Sequence, residues 1–181
     1  MHLVTSVLFL PSLLAFLQPP SQALLLRYYF AASLAVFIIR GRPNLNIKSF
    51  YESQEHVYPI PGGTLPTPNE KTLPLPRADP NRIKAITPNP WLPIIETSLT
   101  HPDEHLIKLQ RALAHFSALF GTRGPGGDEG GLEGAKELEG AELLDGTLFI
   151  RVAGLTAKKM GRVREGEAAG GWHFTGFFAA K

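Results

Sequence analysis

The stretch His101-Pro-Asp-Glu-His-Leu-Ile-Lys-Leu-Gln-Arg-Ala-Leu-Ala-His-Phe-Ser-Ala-Leu-Phe-Gly121 decides the fold class. Leu106, Leu109, Leu113, Phe116 and Phe120 recur at the spacing of one helix face. The spacing predicts a helix over residues 102–120. Pro102 suits a first turn, where its missing N–H costs nothing. Asp103 and Glu104 complement the positive end of the helix dipole. Gly121 is a natural stop. The opposite side carries His105, Lys108, Arg111 and His115. His101 joins that side if the helix begins early enough, since it stands four residues before His105.

The same logic extends outward. Residues 2–17 read as a helix broken near Pro11. After the turn Gln18-Pro-Pro-Ser21, with Ser21 a candidate N-cap, residues 22–40 form the most apolar helix. Gly41 and Pro43 end it. So short a turn predicts antiparallel packing. Residues 91–99 read as a short helix. Residues 143–160 suit a helix with a basic end, although Leu148-Phe-Ile-Arg-Val152 alone also suits a strand. The tail Trp172-His-Phe-Thr-Gly-Phe-Phe178 is aromatic and is expected to dock on the body.

Two segments differ in kind. Residues 44–90 are dense in proline, which favours extended structure and rules out a long helix. Tyr51, Tyr58, Ile60, Leu65, Leu73, Leu75, Ile83 and Ile86 are anchors that a solvated linker does not need, so an ordered arm is expected. Residues 121–140 are glycine-rich with interspersed acids, as a flexible loop would be. The expected fold is mainly α. It is one bundle-like domain over residues 1–181, comprising a hairpin (1–43), the Pro-rich arm (44–90), helices (91–121), the loop (122–140) and a C-terminal helix and tail (141–181).

The chain has 181 residues, enough for one core. Apolar residues make up 44% and charged residues 19%, which suits large buried helices. A net charge of +2, with no basic stripe, gives no reason to expect nucleic acid. Without cysteine there are no disulfides, thiolate metal sites or cysteine nucleophiles. The apolar N-terminus raises the question of a leader or membrane anchor. No Lys or Arg precedes the run and Pro11 interrupts it, so internal helices are expected and a membrane is not.

The residues that suggest chemistry lie on the long helix. His105 and His101 suit proton transfer near neutral pH. Lys108 and Arg111 suit an anionic ligand or a developing oxyanion. Solvation of a helix face accounts for the same residues without chemistry. No metal site is expected: His-Glu-x-x-His is missing, and so is any carboxylate–histidine cluster. No strand–Gly-x-Gly-x-x-Gly–helix pattern and no P-loop occur, so cofactor-binding residues remain unknown. Arg40 and Arg42 suit a helix C-terminus for dipole reasons alone. Trp91 and Trp172 suit packing, or stacking on a flat ligand.

The run Asn89-Pro-Trp-Leu-Pro-Ile-Ile-Glu-Thr-Ser-Leu-Thr-His-Pro-Asp-Glu-His-Leu-Ile-Lys108 resembles fungal questin oxidase-like proteins. Met1-His-Leu-Val-Thr-Ser6, Arg40-Gly-Arg-Pro43 and Gly146-Thr-Leu-Phe-Ile-Arg-Val-Ala-Gly154 resemble them too, so the likeness extends over nearly the whole chain. Family members run longer on the N-terminal side, which would make this chain a C-terminal part. The resemblance implies an oxidoreductase of secondary metabolism. It would perform Baeyer–Villiger-type opening of an aromatic polyketide such as an anthraquinone, with NADPH. It also implies a cytoplasmic protein whose NADPH contacts lie on other segments or a partner. Composition and spacing do not bear on that chemistry. The competing expectations are a truncated, non-catalytic helical binding or scaffold protein, and a membrane-associated helical hairpin formed by residues 3–39.

Overall fold

The computed structural model describes residues 1–53, 89–125 and 138–178. Every regular element among them is helical: α1 (His2–Val7), α2 (Leu10–Leu14), α3 (Pro19–Ile39), α4 (Ile47–Glu52), α5 (Trp91–Thr100), α6 (Glu104–Phe120) and α7 (Leu148–Met160), with short 3-10 turns at Ala141–Leu143 and Val163–Glu165. The mainly α expectation holds; of residues 143–160, Leu148–Met160 form α-helix. Most of the Pro-rich arm and residues 126–137 of the Gly-rich segment lie outside the described residues.

The chain divides into two compact units, Met1–Leu45 with Trp172–Lys181, and Asn46–Gly171. In the first, Pro11 lies in the opening turn of α2, and the chain breaks at Leu8–Phe9 instead. Proline lacks the N–H that a first turn leaves unused, so it starts a helix more readily than it interrupts one. The same reason moves the start of α3 to Pro19. Gln18, not Ser21, takes the N-cap position, with the extended ψ of 151° that a following proline favours. The predicted stop at Gly41 is correct. Arg42 N–H donates to Phe37 O at 3.1 Å and Gly41 N–H to Ile38 O at 3.0 Å, with Gly41 at φ +100°, a Schellman termination.

α1 meets α3 through Tyr29. Its hydroxyl donates to Leu3 O and lies 2.8 Å from Ser6 Oγ. The tail docks as expected. Phe177 N–H donates to Arg40 O at 2.7 Å, and the Arg40 guanidinium donates to the carbonyls of Phe174 and His173. The expectation that α3 is an interior helix is not met: no residue of α3 is buried.

The second unit holds the core. α5 contributes Pro93, Ile94, Thr97 and Ser98; α6 contributes Leu106, Leu109, Gln110, Ala112 and Leu113; α7 contributes Ala153, Gly154, Ala157 and Met160. The small residues of α7 let it approach α6 closely, and Gln110 Nε2 donates to the main-chain carbonyl of Ala153 at 2.9 Å. Leu106, Leu109 and Leu113 face inward as their spacing predicts. Phe116 and Phe120 are only half-buried and lie against Phe149, with centroids 6.0 and 6.2 Å away. The ends of the Gly-rich segment are built into this unit. Gly146 N–H donates to Arg123 O at 2.9 Å, and Gly140 is buried at φ +84° with its Cα facing Ile47 and Lys48. α4 is held by Tyr51, whose hydroxyl accepts from Asp145 N–H at 3.1 Å while the Arg151 guanidinium covers its ring.

Candidate functional site

The junction between α5 and α6 positions the two histidines. Proline disfavours helical backbone in the residue before it, so His101 ends α5 in extended geometry (φ −74°, ψ 135°) and does not enter α6. Asp103, rather than Pro102, starts α6: it is the N-cap, and Oδ1 accepts from His105 N–H at 2.9 Å. The reading that His101 and His105 share one helix face is therefore overturned.

The partners of each ring separate their roles. His101 is buried. Its Nδ1 accepts from Asp103 N–H at 3.0 Å, because a main-chain N–H only donates. Its Nε2 lies 2.8 Å from Met160 O and must donate there, because a carbonyl only accepts. The neutral Nε2–H tautomer satisfies both contacts. His101 thus ties the α5–α6 corner to the C-terminal end of α7.

His105 is the opposite case. Its Nδ1 lies 2.9 Å from Asp103 Oδ1. With an ionised Asp103, Nδ1 carries the proton, the ring is held in one orientation, and Nε2 is the basic nitrogen. The His105 side chain is 37% exposed and that of Asp103 28%, so the pair is within reach of a solute.

Lys108 and Arg111 are both exposed on the same side of α6. Lys108 Nζ bonds Glu104 Oε1 at 2.9 Å, and that hydrogen bond holds the Glu104 carboxyl below its ordinary range. Lys108 is thus neutralised by its neighbour one turn back, and it supplies less positive potential than a lone cation would. His105, Lys108 and Arg111 are brought to one helix side; His101 is not.

A second polar centre escaped the sequence reading. Thr97, Ser98, Gln110, Arg162 and Glu165 are all buried around α5 and the turn after α7. Arg164 reaches Glu96 at 2.5 Å and Glu165 at 3.6 Å, and Arg162 reaches Glu167 at 3.4 Å. Burial pushes the Glu165 carboxyl above its ordinary range, more than the charges of Arg164 and Arg162 lower it. Perturbed carboxyls of this kind accompany both functional sites and structural ion networks. The signal available was Gly161-Arg-Val-Arg-Glu-Gly166, a charged run bracketed by glycines directly after a helix.

Among the described residues, no group of three or more His, Asp or Glu is placed to hold a metal ion. At this corner neither helix N-terminus is an open phosphate site. The α6 N-terminus is capped by Asp103, α5 opens on Pro90 with Pro93 in its first turn, and Lys108 is paired.

Comparison with known proteins gives one match, to the family model described as questin oxidase-like, over residues 1–113. No curated protein and no solved structure matches the chain. The matched region contains the whole α5–α6 corner with Asp103 and His105. The resemblance noted at Gly146–Gly154 lies outside it.

Proposed function

The chain belongs to the questin oxidase-like family, and from that premise we propose that it takes part in oxygen insertion into a planar, phenolic polycyclic ketone. The net reaction is ketone plus O2 plus NADPH plus a proton, giving ring-expanded ester, NADP+ and water. NADPH is a co-substrate of that net reaction, and no residue of this chain is assigned to it.

One observation carries the reading: Asp103 fixes the His105 ring with Nε2 as its basic nitrogen. A positioned imidazole can take a phenolic or peroxidic proton and return it to the departing oxygen. Arg111, exposed on the same side of α6, suits the negative charge that develops on the attacked carbonyl oxygen. Lys108 is the weaker candidate, because Glu104 offsets its charge. His101 supports the site by holding the corner.

The test is a turnover assay with an anthraquinone, O2 and NADPH, following product that has gained one oxygen. His105→Ala is expected to lower the rate by about 100-fold, the scale of a lost acid–base group, with little change in melting temperature. Full activity in His105→Ala would refute the assignment. A turnover-competent protein that ignores this residue would leave α6 as a solvated face and favour a scaffold role for this chain.

A further inference from the structure

We propose that residues 2–39 form a helical hairpin that inserts into a lipid bilayer, with α3 as its spanning helix. This goes beyond the redox reading and is independent of it. α3 has 21 residues. At 1.5 Å each they span about 31 Å, against a hydrocarbon core of about 30 Å. None of its residues is buried.

Its exposed apolar side chains occupy every side. Leu24, Leu26, Phe30, Val36, Ile38 and Ile39 are all exposed. At 3.6 residues per turn they fall around the full circumference. A helix on a protein surface shows a polar stripe toward water, whereas one apolar all round is enclosed by a large core or by a membrane. α3 has no such stripe. Apolar surroundings on all sides are what acyl chains supply.

Three polar side chains of α3 are satisfied within the hairpin, as a bilayer requires. Ser33 Oγ donates to Tyr29 O, Tyr29 meets Leu3 and Ser6, and Gln22 Nε2 donates to the carbonyls of Leu14 and Leu17. Arg27 is the one residue of α3 charged at neutral pH. Its Cα stands about 12 Å from Pro19. Helical side chains lean toward the N-terminus, so its stem can carry the guanidinium to the interface at the turn end.

The other end has a collar suited to headgroups. Arg40 and Arg42 follow α3, and the tail fixed to Arg40 presents exposed Phe174, Phe177 and Phe178. Cations and aromatic rings gather at membrane interfaces for their mixed polarity. The charge at this end also favours anionic lipid.

The full chain, mixed with phosphatidylcholine vesicles containing phosphatidylserine, is expected to float with them and to stay bound through high salt and alkaline carbonate. Leu34→Asp should lower the bound-to-free ratio by about 50-fold or more, the scale of an acid at mid-span. Leu34 is exposed, so its loss removes no core contact. Phe30→Asp should do the same. Ser49→Asp, exposed on α4, should change nothing. A monodisperse monomer or dimer that stays at the bottom of the gradient without detergent overturns the proposal. So does release by salt alone, or an equal loss in Ser49→Asp.

Discussion

His101 and His105 differ by four positions and by everything around their rings. Both His101 nitrogens are engaged by main-chain groups, so proton exchange there would break a buried contact to Asp103 or Met160. His105 has a carboxylate on Nδ1 and a half-exposed ring, the arrangement that makes Nε2 its basic nitrogen. Asp103 therefore has two separable tasks. Asp103→Asn keeps a good N-cap acceptor for His105 N–H but removes the charge that orients the imidazole. The expected result is an unchanged helical spectrum with a turnover loss smaller than that of His105→Ala; equal activity in Asp103→Asn and wild type would show that the pair does not matter. Glu165 gives a pH prediction of definite sign. Its folded-state pKa is raised above the ordinary 4.5. The folded state therefore binds a proton more tightly than the unfolded state, and this contribution to stability is lost as pH rises through the folded value. Glu165→Gln, which mimics the protonated form, should raise the melting temperature near neutral pH relative to wild type, with the gain fading below about pH 4.5. A gain that grew toward acid would mean that the Arg164 pairing outweighs burial.

At the scale of elements, α6 tests the periodic reading directly. Leu109 is 6% exposed and packs in the α5–α6–α7 core. Leu109→Ala should destabilise by about 2–5 kcal/mol in denaturant unfolding, from lost transfer energy plus the cavity left behind. A change below about 0.5 kcal/mol would place Leu109 on a surface. Helix existence was legible at α6 because period and capping residues agreed, and at α3 from its long apolar run and the Gly41–Pro43 stop. Helix starts were less so, and proline is the common cause. Pro19 and Pro20 begin α3 where Ser21 looked like the cap, while Pro102 forces His101 out of α6 and leaves Asp103 to cap it. Gly121 ends α6 as its position suggests, but at φ −64°, not in left-handed geometry. Close approach is the role of Gly146: a Cβ there would sit 2.3 Å from Gly121 O, so the two backbones pass where a side chain would clash. No single-sequence pattern reports such a crossing, because it depends on partners distant in the chain; the charged turn at Arg162–Glu165 shows in sequence as a charged run between glycines, but its burial does not.

At the scale of the whole molecule, the buried set is unusually polar, and this bears on what the chain can spare. Among the described residues, nine buried apolar ones stand alongside Thr97, Ser98, His101, Gln110, Arg162 and Glu165. Ionic groups stabilise a core only when their partners are held in place, so margins are narrow and local losses should propagate. The segment from Gly126 to Gly134 is the contrasting case. Its sequence, Gly-Gly-Asp-Glu-Gly-Gly-Leu-Glu-Gly, offers one large apolar side chain. Ordering such a segment costs roughly 1–2 kcal/mol per residue in backbone entropy with little burial to offset it. The residues that join it to the fold lie outside that range: Arg123 accepts from Gly146, and Gly140 fits against Ile47 and Lys48. Deleting Gly126 to Gly134 should leave helical circular dichroism unchanged and the melting temperature nearly so. Lengthening the segment is the companion measurement, because it separates composition from reach. Doubling a flexible loop costs only about 0.6 kcal/mol in closure entropy, which corresponds to a fall of a few degrees at most for a chain of this size. If deletion collapses the fold while lengthening is tolerated, the segment is needed as a bridge of minimum length. If both collapse it, its residues are part of the structure, and the glycine-rich composition has been misread.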